Sequence, residues 1–351
     1  MIRDSVLLWE SGLKKFAMGI IIGLLCFAWF TQNLDWEALW TYLSTLELHW
    51  VLFSIILLLM EFVLRAFRWR ILLRPLENPE KPIRVLDLFV AQVIGGTLNT
   101  ILPLRIGEIA KPTIASRRTA LPFWSVTATA VMERVYDLFG MVSVLIFMVL
   151  FLQPSLNVPV EEQTLINNLQ LYGGILGIIA LIAMGIFFVL ASRKTDSRHI
   201  FEKIVAIAPA PIQRFFLRLF DGFVEGLGNT RDIKGIWQAG LLSILLWLNG
   251  ALAIYFLFHA FSLALPFGAA CFVSVAIALT VALPQAPGFI GVFHVAMEKT
   301  MLLWGQDLLA AQGFALVFWV VSFLPVSLLG IVLFAREDIS LADVRQQKDK
   351  R

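Results

Sequence analysis

The chain has 351 residues, 59% of them hydrophobic and 15% charged, with a mean hydropathy of +0.82. A soluble domain carries about 25% charged residues, so the composition excludes an ordinary soluble enzyme and predicts an all-α polytopic membrane protein, one membrane domain over 1–351. A formal net charge of only +3 argues against nucleic acid as a partner, and Cys26 and Cys271 sit in apolar runs with no disulfide or metal spacing.

Lys14 and Lys15 precede the apolar run 16–30. No small-x-small cleavage pattern follows, so the segment reads as a retained first span, about 14–31. A span needs ~20 mostly apolar residues, and cytoplasmic loops carry excess Lys and Arg. Arg3, Lys14 and Lys15 therefore place the N-terminus inside, and a loop with Asp35, Glu37 and Glu47 but no base lies outside. A second span, about 49–65, returns to a basic stretch with Arg65, Arg68, Arg70, Arg74, Lys81 and Arg84.

The apolar chain from 85 breaks at Pro103, continues to 115 and ends in Arg117 and Arg118. Both flanks are basic, so the segment makes no net crossing. It is a re-entrant hairpin or a pair of short spans, and the polar Gln92, Asn99 and Arg105 favour the hairpin. The next span, about 121–152, leads outward to Glu161 and Glu162.

The second half repeats this order with the sides exchanged. A span at 171–191 goes inward to a basic cytoplasmic loop, 192–235. Within it, 212–223 places Phe215, Phe216, Leu219, Phe220 and Phe223 on one side of an amphipathic interfacial helix. That helix is a structural surface element or a lipid sensor. A span at 236–258 goes outward, 267–304 holds a second broken hairpin, and 308–334 runs inward to a polar tail. The breaks share a pattern: Leu102-Pro103-Leu104-Arg105-Ile106-Gly107 and Leu283-Pro284-Gln285-Ala286-Pro287-Gly288 are both Leu-Pro-x-x-x-Gly. Each half thus has three spans and a Pro/Gly-broken re-entrant hairpin, giving inverted-topology repeats over 14–152 and 171–334. In such folds broken segments mark the binding site, with Pro103, Gly107, Pro284, Pro287, Gly288 and Gly291 as hinges.

Ionisable groups at membrane depth are costly and need a partner or a function. Arg105, Glu108 and Lys111 recur at three-residue spacing after Pro103, on neighbouring rows of one helix side. Glu133 and Asp137 are i and i+4 on the following span, with Arg134 projecting elsewhere. Three cations balance three anions. One reading is a self-paired network that only holds the bundle. The other is a compensated cavity that accepts a phosphate headgroup, with Arg105 making the bidentate contact that guanidinium favours. Asp137, the deeper carboxylate, is then a candidate proton carrier. In the second hairpin His294 and Glu298 are i and i+4, so His294 is a hydrogen-bonded structural residue or a proton-coupled gate, and Gln285 supplies polar contact. No Ser-His-Asp arrangement, Walker loop, nucleotide-binding turn or metal motif is present, so no catalytic residue, metal or cofactor is expected.

Four motifs occur in order: Arg65-Ala66-Phe67-Arg68-Trp69-Arg70-Ile71-Leu72-Leu73; Asn99-Thr100-Ile101-Leu102-Pro103-Leu104-Arg105-Ile106-Gly107-Glu108; Glu133-Arg134-Val135-Tyr136-Asp137; and Pro284-Gln285-Ala286-Pro287-Gly288-Phe289-Ile290-Gly291-Val292-Phe293. Together they resemble the lysylphosphatidylglycerol synthase transmembrane-region family, also described as flippase-like or UPF0104. The resemblance implies a lipid-translocating domain, related to the part of the bifunctional multiple peptide resistance factor that flips aminoacylated phosphatidylglycerol. The aminoacyl-transferring domain of that protein has no counterpart here, and other relatives are linked to polyprenyl-phosphate sugars and hopanoids. Lys111 stands where the family pattern usually has Arg, and His294 where Glu is common.

The expected function is a transporter or flippase, not an enzyme, for an anionic lipid in a bacterial cytoplasmic membrane, with both termini cytoplasmic. Its binding residues are Asn99, Arg105, Glu108, Lys111, Glu133, Arg134, Asp137, Gln285 and His294. The partner is a membrane lipid with a phosphate headgroup, and a homo-oligomer is compatible with the sequence. The competing readings are a polytopic glycosyltransferase with a lipid-phosphate donor, whose external acids would form a compact motif, and a non-transporting scaffold.

Overall fold

Hydrocarbon offers backbone N–H and C=O groups no partner, so apolar runs of this length fold as helices. A computed structural model of the chain describes residues 21, 23–32, 34–78, 80–102, 105–151, 175, 202, 213, 217, 233–282 and 287–337. The proposed span 171–191, almost all of the loop 192–235 with its interfacial helix, and Pro103, Pro284 and Gln285 lie outside the described residues, the isolated positions above excepted.

Helix α1 is described over 23–31 and α2 is Trp36–Ser44. They are followed by α3 (Leu48–Leu73), α4 (Val85–Ile101), α5 (Gly107–Thr119) and α6 (Phe123–Phe151). After the loop come α7 (Ile233–Ala260), α8 (Phe267–Ala282), α9 (Val292–Leu303) and α10 (Leu308–Ala335). No strand occurs among the described residues. Asp35 starts α2 by accepting from the backbone N–H groups of Glu37 and Ala38, and Asp307 starts α10 by accepting from Ala310 N.

Two runs of four helices share one rhythm of lengths. From α3 to α6 they are 26, 17, 13 and 29 residues, and from α7 to α10 they are 28, 16, 12 and 28. The packing matches as well: α3 lies against α7, α4 of the first run against α10 of the second, and α8 of the second against α6 of the first. The stretches Leu48–Leu76, Lys234–Ala260 and Leu308–Ala335 are long and apolar enough to cross a membrane.

One expectation is corrected by α3. A span ending near residue 65, with Arg65 and Arg68 in a cytoplasmic loop, is not what forms. The helix continues to Leu73, and Ala66, Trp69 and Leu73 on one side and Arg68 on another are all buried. Twenty-six residues at 1.5 Å each give about 39 Å, more than the ~30 Å hydrocarbon thickness.

At the open end of the first hairpin, Asp87 accepts from Arg84 Nε at 2.9 Å and from Arg118 Nε at 3.0 Å, and Arg118 also pairs with Glu337 beyond α10. The two legs α4 and α5 are therefore tied together at their base and to the end of α10.

Candidate functional site

Close approach of α4 and α5 creates the site. A Cβ at Gly107 would strike the carbonyl oxygen of Gly95, and one at Gly95 would lie 2.7 Å from Lys111 Cβ. Only glycine at both positions lets the two backbones touch, and this contact carries Lys111 into the seam beneath the break.

Buried Lys111 pairs with Glu133 of α6, and its ammonium lies 4.5 Å from the centre of the Trp69 ring. The other Glu133 oxygen accepts from Gln92 Nε2 at 2.7 Å, while Trp69 donates to Thr129 at 3.0 Å. Glu133 is only 1% exposed, so its charge is stabilised by these partners rather than by water.

One helical turn along α6, Asp137 is enclosed by guanidinium groups. Arg68 Nη2 reaches it at 2.7 Å, and Arg65 and Arg134 at 3.3 Å. Arg68 is fully buried and also donates to Ser243 of α7 at 2.9 Å, linking the two runs of helices. Arg65 holds Glu61 at 2.6 Å. Arg134 grips both oxygens of Glu108, at 2.7 and 2.9 Å, and Asn99 Nδ2 donates to Glu108 at 3.1 Å.

The carboxylates of Glu61, Glu108, Glu133 and Asp137 thus face the cations of Arg65, Arg68, Lys111 and Arg134. Arg105 is left over. It is exposed, sits at a left-handed φ of 52°, and makes no ion pair among the described residues. Its guanidinium instead donates to the backbone carbonyl of Val281, at the end of α8.

The second hairpin has a different chemistry. Its break contains the short 3₁₀ turn Pro287–Phe289, with Gly288 at φ 71° and Gly291 at φ 85°. Trp319 donates to Gly288 O at 2.6 Å, and a Cβ at Gly291 would strike the backbone of α1 at Gly23. His294 is buried among the rings of Phe27, Phe30, Phe293 and Trp319, whose centres lie 5.2–5.9 Å away, and its Nδ1 accepts from Gly291 N at 3.3 Å. Buried Glu298 accepts from Gln312 at 3.3 Å and pairs with Lys299 at 2.9 Å.

Elsewhere, a shallow cleft of about 560 Å³ lies between α2 and the start of α10, lined by Asp35, Glu37, Tyr42 and Leu309 among others. Burial, aided by Asp307, pushes the Tyr42 phenol above its ordinary range. Its acidic rim disfavours an anion.

The family described as lysylphosphatidylglycerol synthase TM region matches residues 16–330. The chain belongs to this family. Among relatives, a UPF0104 membrane protein of Methanothermobacter thermautotrophicus is 23% identical over 295 residues, covering 81% of this chain and 82% of that relative. The UPF0104 membrane protein MJ1078 of Methanocaldococcus jannaschii is 23% identical over 237 residues, covering 68% of this chain and 92% of its own length. No solved structure matches the chain.

In this member of the lysylphosphatidylglycerol synthase TM-region family, Asn99, Glu108, Lys111, Glu133, Arg134 and Asp137 come together. One expectation needs correction. Arg105 does not share the helix face of Glu108 and Lys111, because α5 begins only at Gly107 and Arg105 turns away toward α8. His294 does not engage Glu298; the two find separate partners. Asp137 is the shared anion of three guanidiniums. Sequence reasoning missed Glu61, Arg65 and Arg68. Their spacing of four and then three residues, within an apolar run, is the helical signal that would have found them.

Proposed function

We propose that the chain is a non-ATP-driven transporter, a flippase for an anionic lipid of the cytoplasmic membrane, and not an enzyme. The observation that carries this reading is Arg105: the other cations of the network each meet a carboxylate at contact distance, whereas Arg105 forms no contact ion pair among the described residues. A phosphate headgroup would supply the missing anion, and guanidinium recognises phosphate with paired hydrogen bonds. Glu108, held by Arg134 and Asn99, limits how tightly the anion is retained. Acyl or prenyl chains remain in the bilayer, so only the headgroup needs a polar path.

The matching helix rhythm and packing of α3–α6 and α7–α10 support two inverted repeats whose hairpins enter from opposite faces. The charge flanks put both termini in the cytoplasm. On this scheme a membrane-impermeant thiol probe reaches a cysteine at Ser116 from the cytoplasmic side and one at Gln306 from the outer side; the reverse labelling defeats it. Function is tested in liposomes containing fluorescent phosphatidylglycerol. Arg105→Ala protein that is folded should lose flipping, and Arg105→Lys should recover it only in part. A folded Arg105→Ala protein with full activity would refute the phosphate role.

A further inference from the structure

Breaking two helices at membrane depth exposes carbonyl oxygens that cannot be left unpaired. In the second hairpin two of these are taken by side chains from outside it: Gly288 O accepts from Trp319, and Val281 O accepts from Arg105. The second bond differs in kind. It runs from the tip of the first hairpin to the end of α8, across 176 positions of sequence, and its donor is the surplus cation. The tips also touch through packing of α4 on the turn Pro287–Phe289. Arg105 holds this bond from a left-handed backbone conformation that a residue with a Cβ adopts at a cost.

We infer that Arg105 is a ligand-operated latch: it joins the two hairpin tips through the Val281 carbonyl, and a lipid phosphate that takes its guanidinium releases them. This rests on the phosphate reading above and adds what binding does. A neutral carbonyl accepts from one edge of the guanidinium, whereas a phosphate accepts from two N–H groups and brings opposite charge, so it is the stronger partner. The carbonyl occupies one Nη2–H, and a phosphate that takes the guanidinium edge bearing it displaces the carbonyl, so exchange couples site occupancy to separation of the two halves. Release also frees Arg105 from its left-handed backbone. The bound energy is thus directed at the contact that has to open.

Spin labels read the latch directly. Ile101→Cys at the end of α4 and Leu279→Cys near the end of α8, both exposed side chains, are introduced with Cys26→Ala and Cys271→Ala in the full chain. Distances are measured by pulsed electron resonance in galactolipid nanodiscs, in the same nanodiscs with glycerol 3-phosphate, and in phosphatidylglycerol nanodiscs. Galactolipid alone should give one short distance. Phosphatidylglycerol should add a population longer by about 3 Å or more, the length of a further hydrogen bond. The same change with glycerol 3-phosphate supports the latch and identifies phosphate without chains as a sufficient trigger. Arg105→Gln should show the longer distance in galactolipid and no further response. Native mass spectrometry separates the two ideas. Phosphatidylglycerol retained through Arg105 with an unchanged wild-type distance overturns the latch and leaves the phosphate contact standing. Retention by the folded Arg105→Gln protein equal to that of the wild type overturns both, and the wild-type distance measurements stand whether or not the variant folds.

Discussion

The two broken hairpins are alike in outline and opposite in chemistry. The first places Lys111 and Glu133 in a seam formed by Gly95 and Gly107, and surrounds itself with ion pairs. The second puts His294 into a ring of aromatic side chains and rests its break on the backbone of α1. One scaffold therefore solves the same backbone problem twice, once with charge and once with apolar packing. Under the proposed function, the charged hairpin is the one that meets a headgroup. Under the same proposal, the aromatic one, packed on α1, is the fixed element against which the first would move.

The largest effect expected from this contrast is at Asp137. Removing the anion shared by Arg65, Arg68 and Arg134 leaves buried guanidinium charge uncompensated, which costs about 3–5 kcal/mol. Asp137→Asn should lower the thermal unfolding midpoint sharply in detergent; an unaltered midpoint would show that the charges of the first region are not structurally coupled. Glycines come next and separate the hairpins by mechanism. Gly107→Ala pushes a Cβ into the Gly95 backbone, an overpacking cost of about 1–3 kcal/mol. Gly288→Ala meets only ordinary contacts, the nearest at 3.5 Å, and suffers from its φ of 71° instead, about 1–2 kcal/mol. Asn at 288, which tolerates that φ, should restore stability better than Ala, whereas Asn at 107 should be worse than Ala. Equal behaviour of the two pairs in unfolding midpoints would erase the distinction.

A smaller loss is expected for His294→Leu, about 1 kcal/mol, because the aromatic ring accepts an apolar side chain and only the Gly291 N–H loses its acceptor. Flipping by the folded variant should persist. Loss of flipping with unchanged stability would make the second hairpin chemically active and break the comparison. Smallest of all is Arg134→Lys, below about 1 kcal/mol, since the Arg134–Glu108 pair is half-exposed. Its consequence should fall on flipping, because Lys cannot hold both Glu108 oxygens.

Helical breaks, the membrane class and most of the charged cluster were legible because each depends on local pattern: proline and glycine interrupt an apolar run wherever they fall, and carboxylates three or four apart share a helix side. Arg68 was not legible in that way. Its partners are Asp137 on α6 and Ser243 on α7, and an arginine near the end of an apolar run looks like a loop residue until those helices close over it. Arg105 shows the opposite failure. Its spacing from Glu108 suggested a shared face, but the helix starts two residues later and the intervening turn reverses its direction. The seam at Gly95 was invisible because a glycine's role there depends on which backbone approaches it, and sequence spacing says nothing of that.

Arg68 also sets an order for biosynthesis. Translation delivers it 69 residues before Asp137 and 175 before Ser243. During that interval α3 carries, in its last turns, an unmatched guanidinium whose burial in an apolar segment is costly. The nascent segment is therefore stable only beside the insertion machinery or with Arg68 reaching for the headgroups, and it settles to its final depth when α6 arrives. A chain interrupted between α3 and α6 keeps that exposed charge, a ready mark by which membrane quality control can tell an unfinished molecule from a complete one.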